Sequence, residues 1–388
     1  MLDAAPIICP ILPLHPLPRI TADLPGFGGQ LKVFTEDFVV EELPLYEPAG
    51  SGDHLYLWIE KVDVAAETLR RHVARMLEIS GVDVGMAGLK DRRAITRQWI
   101  SVPRSAESKL ERLNTDRIKV LDSKLHRNKL RTAHLRGNRF EIRVRHVVPG
   151  AFALAQAKIE RVVKSGVPNF YGSQRMGHGG STLAAGWALL RGQAGLARVQ
   201  TPNDTVHTLN LHDRHLRRLA ASALQSELFN RTVALRMERN VFAQVLDGDA
   251  CQKTDSGGTF VTDDIGREQL RLNAGELQLT GPMWGTKMLR TQRDAMALER
   301  EILSDLGIEE ADFAALSHLA EGTRRPIAVV PQALQLRDEG ESIWLSFELP
   351  AGGYATEVIY ELIGPSTQVE LPLTGEFGTT SDIEGECA

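Results

Sequence analysis

Cysteine is nearly missing from this 388-residue chain: Cys9, Cys251 and Cys387 are the whole complement. Three thiols so far apart give no disulfide framework and no paired Cys-x-x-Cys zinc pattern. They suit a reducing compartment, so a cytoplasmic protein is expected. HExxH pairs and Asp-rich calcium loops are missing as well, and the eleven histidines are scattered. No apolar run approaches the roughly 18 residues of a membrane span. Residues 1–18 are apolar but carry Pro6, Pro10, Pro13, Pro16 and Pro18. They have no basic start before the apolar run, which argues against a secretory signal. The stretch Gly172-Ser-Gln-Arg-Met-Gly177-His-Gly has the glycines of a phosphate loop without its lysine. His178-Gly179-Gly180 is not accompanied by a G-x-S-x-G nucleophile elbow. Chemistry with no metal and no cofactor is therefore expected.

What is present fits a folded protein of two to three domains at roughly 150 residues each. Apolar residues make up 43% and charged residues 24%, ample for a sizeable core. The net charge of −5 hides an asymmetry. From Gly88 to Arg145 there are 17 Lys and Arg against 6 Asp and Glu, while the rest of the chain is acidic, ending in a tail, Gln368 to Ala388, with five acids and no base. A basic segment in an acidic protein suits a polyanion surface, and equally a solvated strand or helix face.

Hydrophobic period predicts strands within Gly26–Leu43, at Leu55–Ile59, Gln98–Val102, Arg117–Leu121 and Asn138–Val147. Another is predicted at Ile343–Leu349. Helices are predicted over 64–79 (Asp63 as cap, Gly81 as stop), 151–164, 182–190, 216–239, 292–306 and from Ala355. Their irregular alternation favours α+β over a doubly wound sheet.

The most informative stretch is Ala87-Gly-Leu-Lys-Asp-Arg-Arg-Ala-Ile-Thr-Arg-Gln-Trp99. Its carboxylate, Asp91, is flanked by Lys90, Arg92 and Arg93, and such cations favour the ionised form. That suits a nucleophile or charge stabiliser better than a general acid. It also suits an exposed turn with ordinary surface pairs.

This block is one of four that occur in order and together resemble the TruD family of tRNA pseudouridine synthases across nearly the whole chain. The others are Phe34-Thr-Glu-Asp-Phe-Val-Val-Glu-Glu42, Val167-Pro-Asn-Phe-Tyr-Gly-Ser-Gln-Arg-Met-Gly177 and Phe347-Glu-Leu-Pro-Ala-Gly-Gly-Tyr-Ala-Thr356. The resemblance implies a mixed-sheet catalytic domain with an inserted α+β domain. The bounds expected are 1–194, the insertion 195–322, and 323–388. It implies an isomerase that converts a D-arm uridine of tRNA, position thirteen, to pseudouridine without metal or cofactor. No membrane and no obligate protein partner is implied, and a monomer is expected. The match places the essential aspartate at Asp91, acting on ribose C1′ or on the uracil ring. Phe38, Asn169 and Tyr354 fall to base contact, with Tyr171 beside them. Lys32 joins the substrate-binding set, and Lys90, Arg92, Arg93, Arg97 and Arg175 fall to the RNA backbone. A flipped uridine needs such a stacking and edge-reading set. Tyr171 and Met176 stand where the family often has Phe. Two alternatives stay open: a catalytically silent tRNA-binding protein, and a glycosylase in which water takes the place of C5.

Overall fold

The computed structural model describes residues 5–364 apart from Leu89, Asp91 and Ala133. The acidic tail lies outside them. The chain divides into two compact units. One comprises the chain up to Ile20 with Val167–Val329, the other Thr21–Gly166 with the chain from Val330 onward. The breaks fall at 20/21, 166/167 and 329/330, whereas the resemblance implies bounds at 194/195 and 322/323 with the start of the chain in the catalytic domain. Two packings account for the difference. The helix Ser181–Leu190 lies along the helix Arg214–Glu238. The strand Thr323–Pro326 pairs with Leu277–Met283.

In the unit that begins at Thr21, a mixed sheet runs in the order Gln332–Asp338, Ser342–Pro350, Leu135–Arg145, Phe38–Pro44, Ile95–Pro103, His54–Val62, Ile118–His126. The short strand Gly85–Met86 adds to Ile95–Pro103. All pairings are antiparallel except Phe38–Pro44 with Ile95–Pro103. Alternation explains the layering, because successive side chains leave a strand on opposite faces. Leu55, Leu57 and Ile59 are buried on one face, and Leu69, Val73 and Leu77 of the helix Ala66–Leu77 pack with them in one cluster. Phe140, Ile142 and Val144 are buried, while Glu141 is exposed and Arg143 and Arg145 are partly so. The helices Ala151–Ser165 and Ala355–Ile363 pack on one another. Strands and helices are mixed irregularly, and the unit is α+β.

The other unit is built around two helices. Gly186 in Ser181–Leu190 lies so close to Arg214–Glu238 that a Cβ there would stand 2.3 Å from the Ala220 carbonyl oxygen. Only glycine permits that approach. The Pro-rich start of the chain is tied to this pair. Ile7–Ile8 pairs parallel with Leu196–Gln200. Trp187 Nε1 donates to the Ile8 carbonyl at 2.9 Å, and Arg231 donates to the Leu12 carbonyl at 2.9 Å. The Leu14 N–H donates to the buried Glu227 carboxylate at 3.0 Å. A four-stranded sheet, in the order Thr259–Val261, Ala250–Lys253, Leu277–Met283, Thr323–Pro326, completes the unit with the two-stranded pair Val167–Pro168 and Ala328–Val329.

Candidate active site

The first sequence block is organised by Asp37. Its carboxylate accepts from the Phe34 N–H at 2.9 Å, closing the 3-10 turn Thr35–Asp37. It also accepts from Arg145 Nε at 2.8 and 2.9 Å and from Arg145 Nη2 at 2.7 Å. Burial alone would raise its pKa, but the Arg145 hydrogen bonds and charge prevail and hold it below the usual carboxylate range. The turn delivers Phe38 as the first residue of its strand. Phe38 is 4% exposed, edge-on to Phe140 at 6.4 Å. The Lys32 ammonium lies 4.1 Å from the Phe38 ring centroid, a cation–π arrangement.

Two residues toward the strand's end on the same face is Val40, and two further is Glu42. Glu42 stands directly opposite Asn138 on the neighbouring strand. On the other side, Val40 pairs with Thr96 and Glu41 with Arg97, where the ladder of these two strands ends. Glu42 and Asn138 thus form a polar pair across two strands. Lys90, from the Asp91 block, reaches this pair. Its Nζ is 3.1 Å from Glu42 Oε2 and donates to Asn138 Oδ1. Only 4% of the Lys90 side chain and none of the Glu42 side chain is exposed. Burial pushes the Glu42 pKa up, and Lys90 opposes the rise without cancelling it. Lys90, expected at the RNA backbone, is turned into the protein. Neither Glu42 nor Asn138 stands out in the sequence as a site residue. A carboxylate in phase with the buried Phe38 and Val40 is the signal that could have found the first.

Asp91 itself lies outside the described residues. Arg92 and Arg93 beside it are exposed, with Arg92 Nε 3.6 Å from Asp63 Oδ1. Arg97 is on the sheet face opposite to Glu42, paired with Glu60 at 2.9 Å and Glu41 at 3.7 Å. Tyr354 is 41% exposed at the N-cap of the helix Ala355–Ile363. It follows closely on Leu349, which is opposite Asn138 on that residue's other side.

Asn169, Tyr171 and Arg175 belong to the other unit. Asn169 is 7% exposed; its Nδ2 donates to the Pro326 carbonyl at 2.9 Å and its Oδ1 accepts from Arg325 at 2.6 Å. Reading a base edge would require those bonds to be exchanged. Tyr171 is locked by a reciprocal pair of 2.9 Å bonds between its backbone and the Asn230 amide. The Arg325 guanidinium stacks 4.3 Å from the Tyr171 ring centroid, and the Tyr171 hydroxyl points to Met283 Sδ at 3.7 Å. Arg175 is exposed, 5.8 Å from the same ring, and donates to Ser222 Oγ. Among the described residues, no three His, Cys, Asp or Glu side chains are grouped as metal ligands, and no helix is long and apolar enough to cross a membrane.

The profile of the family described as tRNA pseudouridine synthase D (TruD) matches residues 18–197 and 192–362. The chain belongs to this family. The tRNA pseudouridine synthase D of a Thermus thermophilus strain is 39% identical over 347 residues, covering 89% of this chain and 92% of the relative. That of an Anaeromyxobacter dehalogenans strain is 41% identical over 357 residues, covering 92% and 98%. In fold, the chain is similar to a crystal structure of the putative TruD protein from Methanosarcina mazei. The TM-score is 0.71 over 88% of this chain and 95% of that one, at 24% identity. The Phe34–Glu42 and Ala87–Trp99 blocks, Asn138, Asn169 and Tyr354 all lie inside the TruD-matched residues.

Proposed function

We propose that this pseudouridine synthase acts on tRNA, converting a D-arm uridine, position thirteen, to pseudouridine, with Asp91 as the acting carboxylate. The supporting observation is the TruD match through residues 18–362, with relatives at about 40% identity over nearly their full length. The reaction is an isomerisation. The C1′–N1 bond breaks, a C1′–C5 bond forms, the C5 proton leaves and N1 gains one, so no atom is added. Asp91 acts on ribose C1′ or on the ring. A stacked uridine must first be flipped out at a cost of a few kcal/mol. Phe38, Tyr354 and the Lys32 cation serve the flipped nucleotide. Arg92, Arg93, Arg97 and Arg175 serve the backbone, and Asn169 serves the base with Tyr171 beside it. Cytoplasmic tRNA is the natural substrate pool, met by a monomer.

The test is incubation of unmodified tRNA transcripts with the protein and with its Asp91→Asn variant, followed by carbodiimide mapping. A new D-arm pseudouridine that needs Asp91 is expected, with tRNA affinity kept within about tenfold because one charge is lost and no contact surface. Binding without conversion would favour a silent tRNA-binding protein, and released uracil with an abasic site would favour a glycosylase.

A further inference from the structure

The Lys90–Glu42 pair is the one buried ion pair contributed by the Asp91 block among the described residues. Both side chains are almost wholly withdrawn from solvent. A lysine placed next to an RNA-binding carboxylate would ordinarily offer its charge to phosphate. Here the ammonium is neutralised by Glu42 and further bound by the Asn138 amide oxygen. Glu42 and Asn138 are held opposite one another by the register of two central strands. The arrangement ties the Lys90 ammonium to two strands of the sheet, one residue before Asp91 in the sequence. An ammonium has donors only, so it also fixes which end of the Asn138 amide faces inward.

We propose that Glu42 is a positioning residue: through Lys90 it sets the backbone from which Asp91 acts, and the Lys90 charge is spent inside the protein and not on RNA phosphate. This rests on the reading of Asp91 given above. The role predicts a particular division of effects. A misplacement of about 1 Å at a reacting group costs on the order of 100-fold in rate, whereas the exposed arginines that meet RNA remain untouched. Loss of a phosphate contact instead lowers the slope of log affinity against log salt by about 0.7–0.9.

The experiment uses the full chain with a tRNA transcript and compares Glu42→Gln, Lys90→Met, and the two combined, with Arg92→Gln/Arg93→Gln as the reference for phosphate contact. Each single variant leaves one buried partner alone and is expected to be less stable. The double variant removes the orphaned charge and is expected to regain much of the lost thermal stability. The proposal expects kcat to fall at least tenfold in both singles and to stay low in the stable double, by less than the product of the single losses. The affinity for tRNA and its salt slope are expected to match the parent's, while the arginine pair flattens the slope. Recovery of parental kcat in the stable double variant would overturn the proposal, because the pair would then be structural only. So would a Lys90→Met slope reduced like that of the arginine variant. Asp91→Asn is run alongside: if it retains turnover, the reading of Asp91 fails, whereas an inactive Asp91→Asn with a fully active Glu42→Gln refutes the positioning role alone.

Discussion

Arg145 makes three hydrogen bonds to Asp37 while its guanidinium lies 4.8 Å from the Phe34 ring centroid, so one side chain closes the turn that precedes Phe38. Because Asp37 holds its charge more easily in the folded chain than in the unfolded one, the pair stabilises fully above the ordinary carboxylate range. That contribution is lost as pH falls through the folded-state value. Asp37→Asn should cost about 2–3 kcal/mol at pH 7, the scale of charged hydrogen bonds. It should also shallow the acid limb of a urea-midpoint profile between about pH 5 and 2. A variant as acid-sensitive as the parent would remove Asp37 from that role. The apolar pattern reads as strand material from Gly26 to Leu43 through this region. Asp37 interrupts it by capturing the Phe34 N–H, a side chain competing with a sheet ladder for the backbone. Phe38 and Asp91 enter the sequence reading as members of blocks. Glu42 and Asn138 do not enter it as site residues, since which residues face each other across two strands is a matter of register, and register is not written locally.

Elements with a strong period were legible to within a few residues. Ala151–Ser165 with Gly166, Arg214–Glu238 and Ala66–Leu77 all follow their apolar stripes. Their ends were harder. The cap of Ala66–Leu77 is Ala65 and its stop is Glu78 in a left-handed conformation, where Asp63 and Gly81 were expected. Asp63 instead has φ 51° and sits near Arg92 and Arg117. Residues 247–266, a polar stretch rich in Gly, Asp and Thr, contain Ala250–Lys253 and Thr259–Val261. Their pairing with each other and with Leu277–Met283 supplies the order that their composition does not. Within the long helix Arg214–Glu238, burial pushes the Glu227 pKa up to about 7 against the opposing pull of Arg231 and the Leu14 N–H. The folded chain therefore binds this proton more tightly than the unfolded chain, and stability drains as pH rises from about 4.5 to about 7. Glu227→Gln should remove that slope, seen as urea midpoints at pH 5 and pH 8 drawing together. An unchanged gap would mean that Glu227 does not titrate in this range.

At the scale of the molecule, the α+β class was readable because strands and helices alternate without a βαβ rhythm, while the bounds of the units were not. They depend on Ser181–Leu190 packing on a helix that begins more than twenty residues later and on strand pairing across a longer gap. The strands Val167–Pro168 and Ala328–Val329 bear on this directly. Val167 is paired with Val329 and Pro168 with Ala328, so the first and last residues of the intervening segment are held about 5 Å apart. A segment whose two ends meet can be lifted out of a chain without stretching what remains, as tolerated insertions show. Deleting residues 1–20 and replacing 167–329 by a short Gly-Ser linker should leave the eight-stranded sheet folded. Cooperative thermal unfolding and strand-rich circular dichroism would report it, and a molten product would show that the sheet needs the other unit to fold. In genealogical terms, those four paired residues are a seam: the place where an ancestral gene could have received a second one without breaking the first.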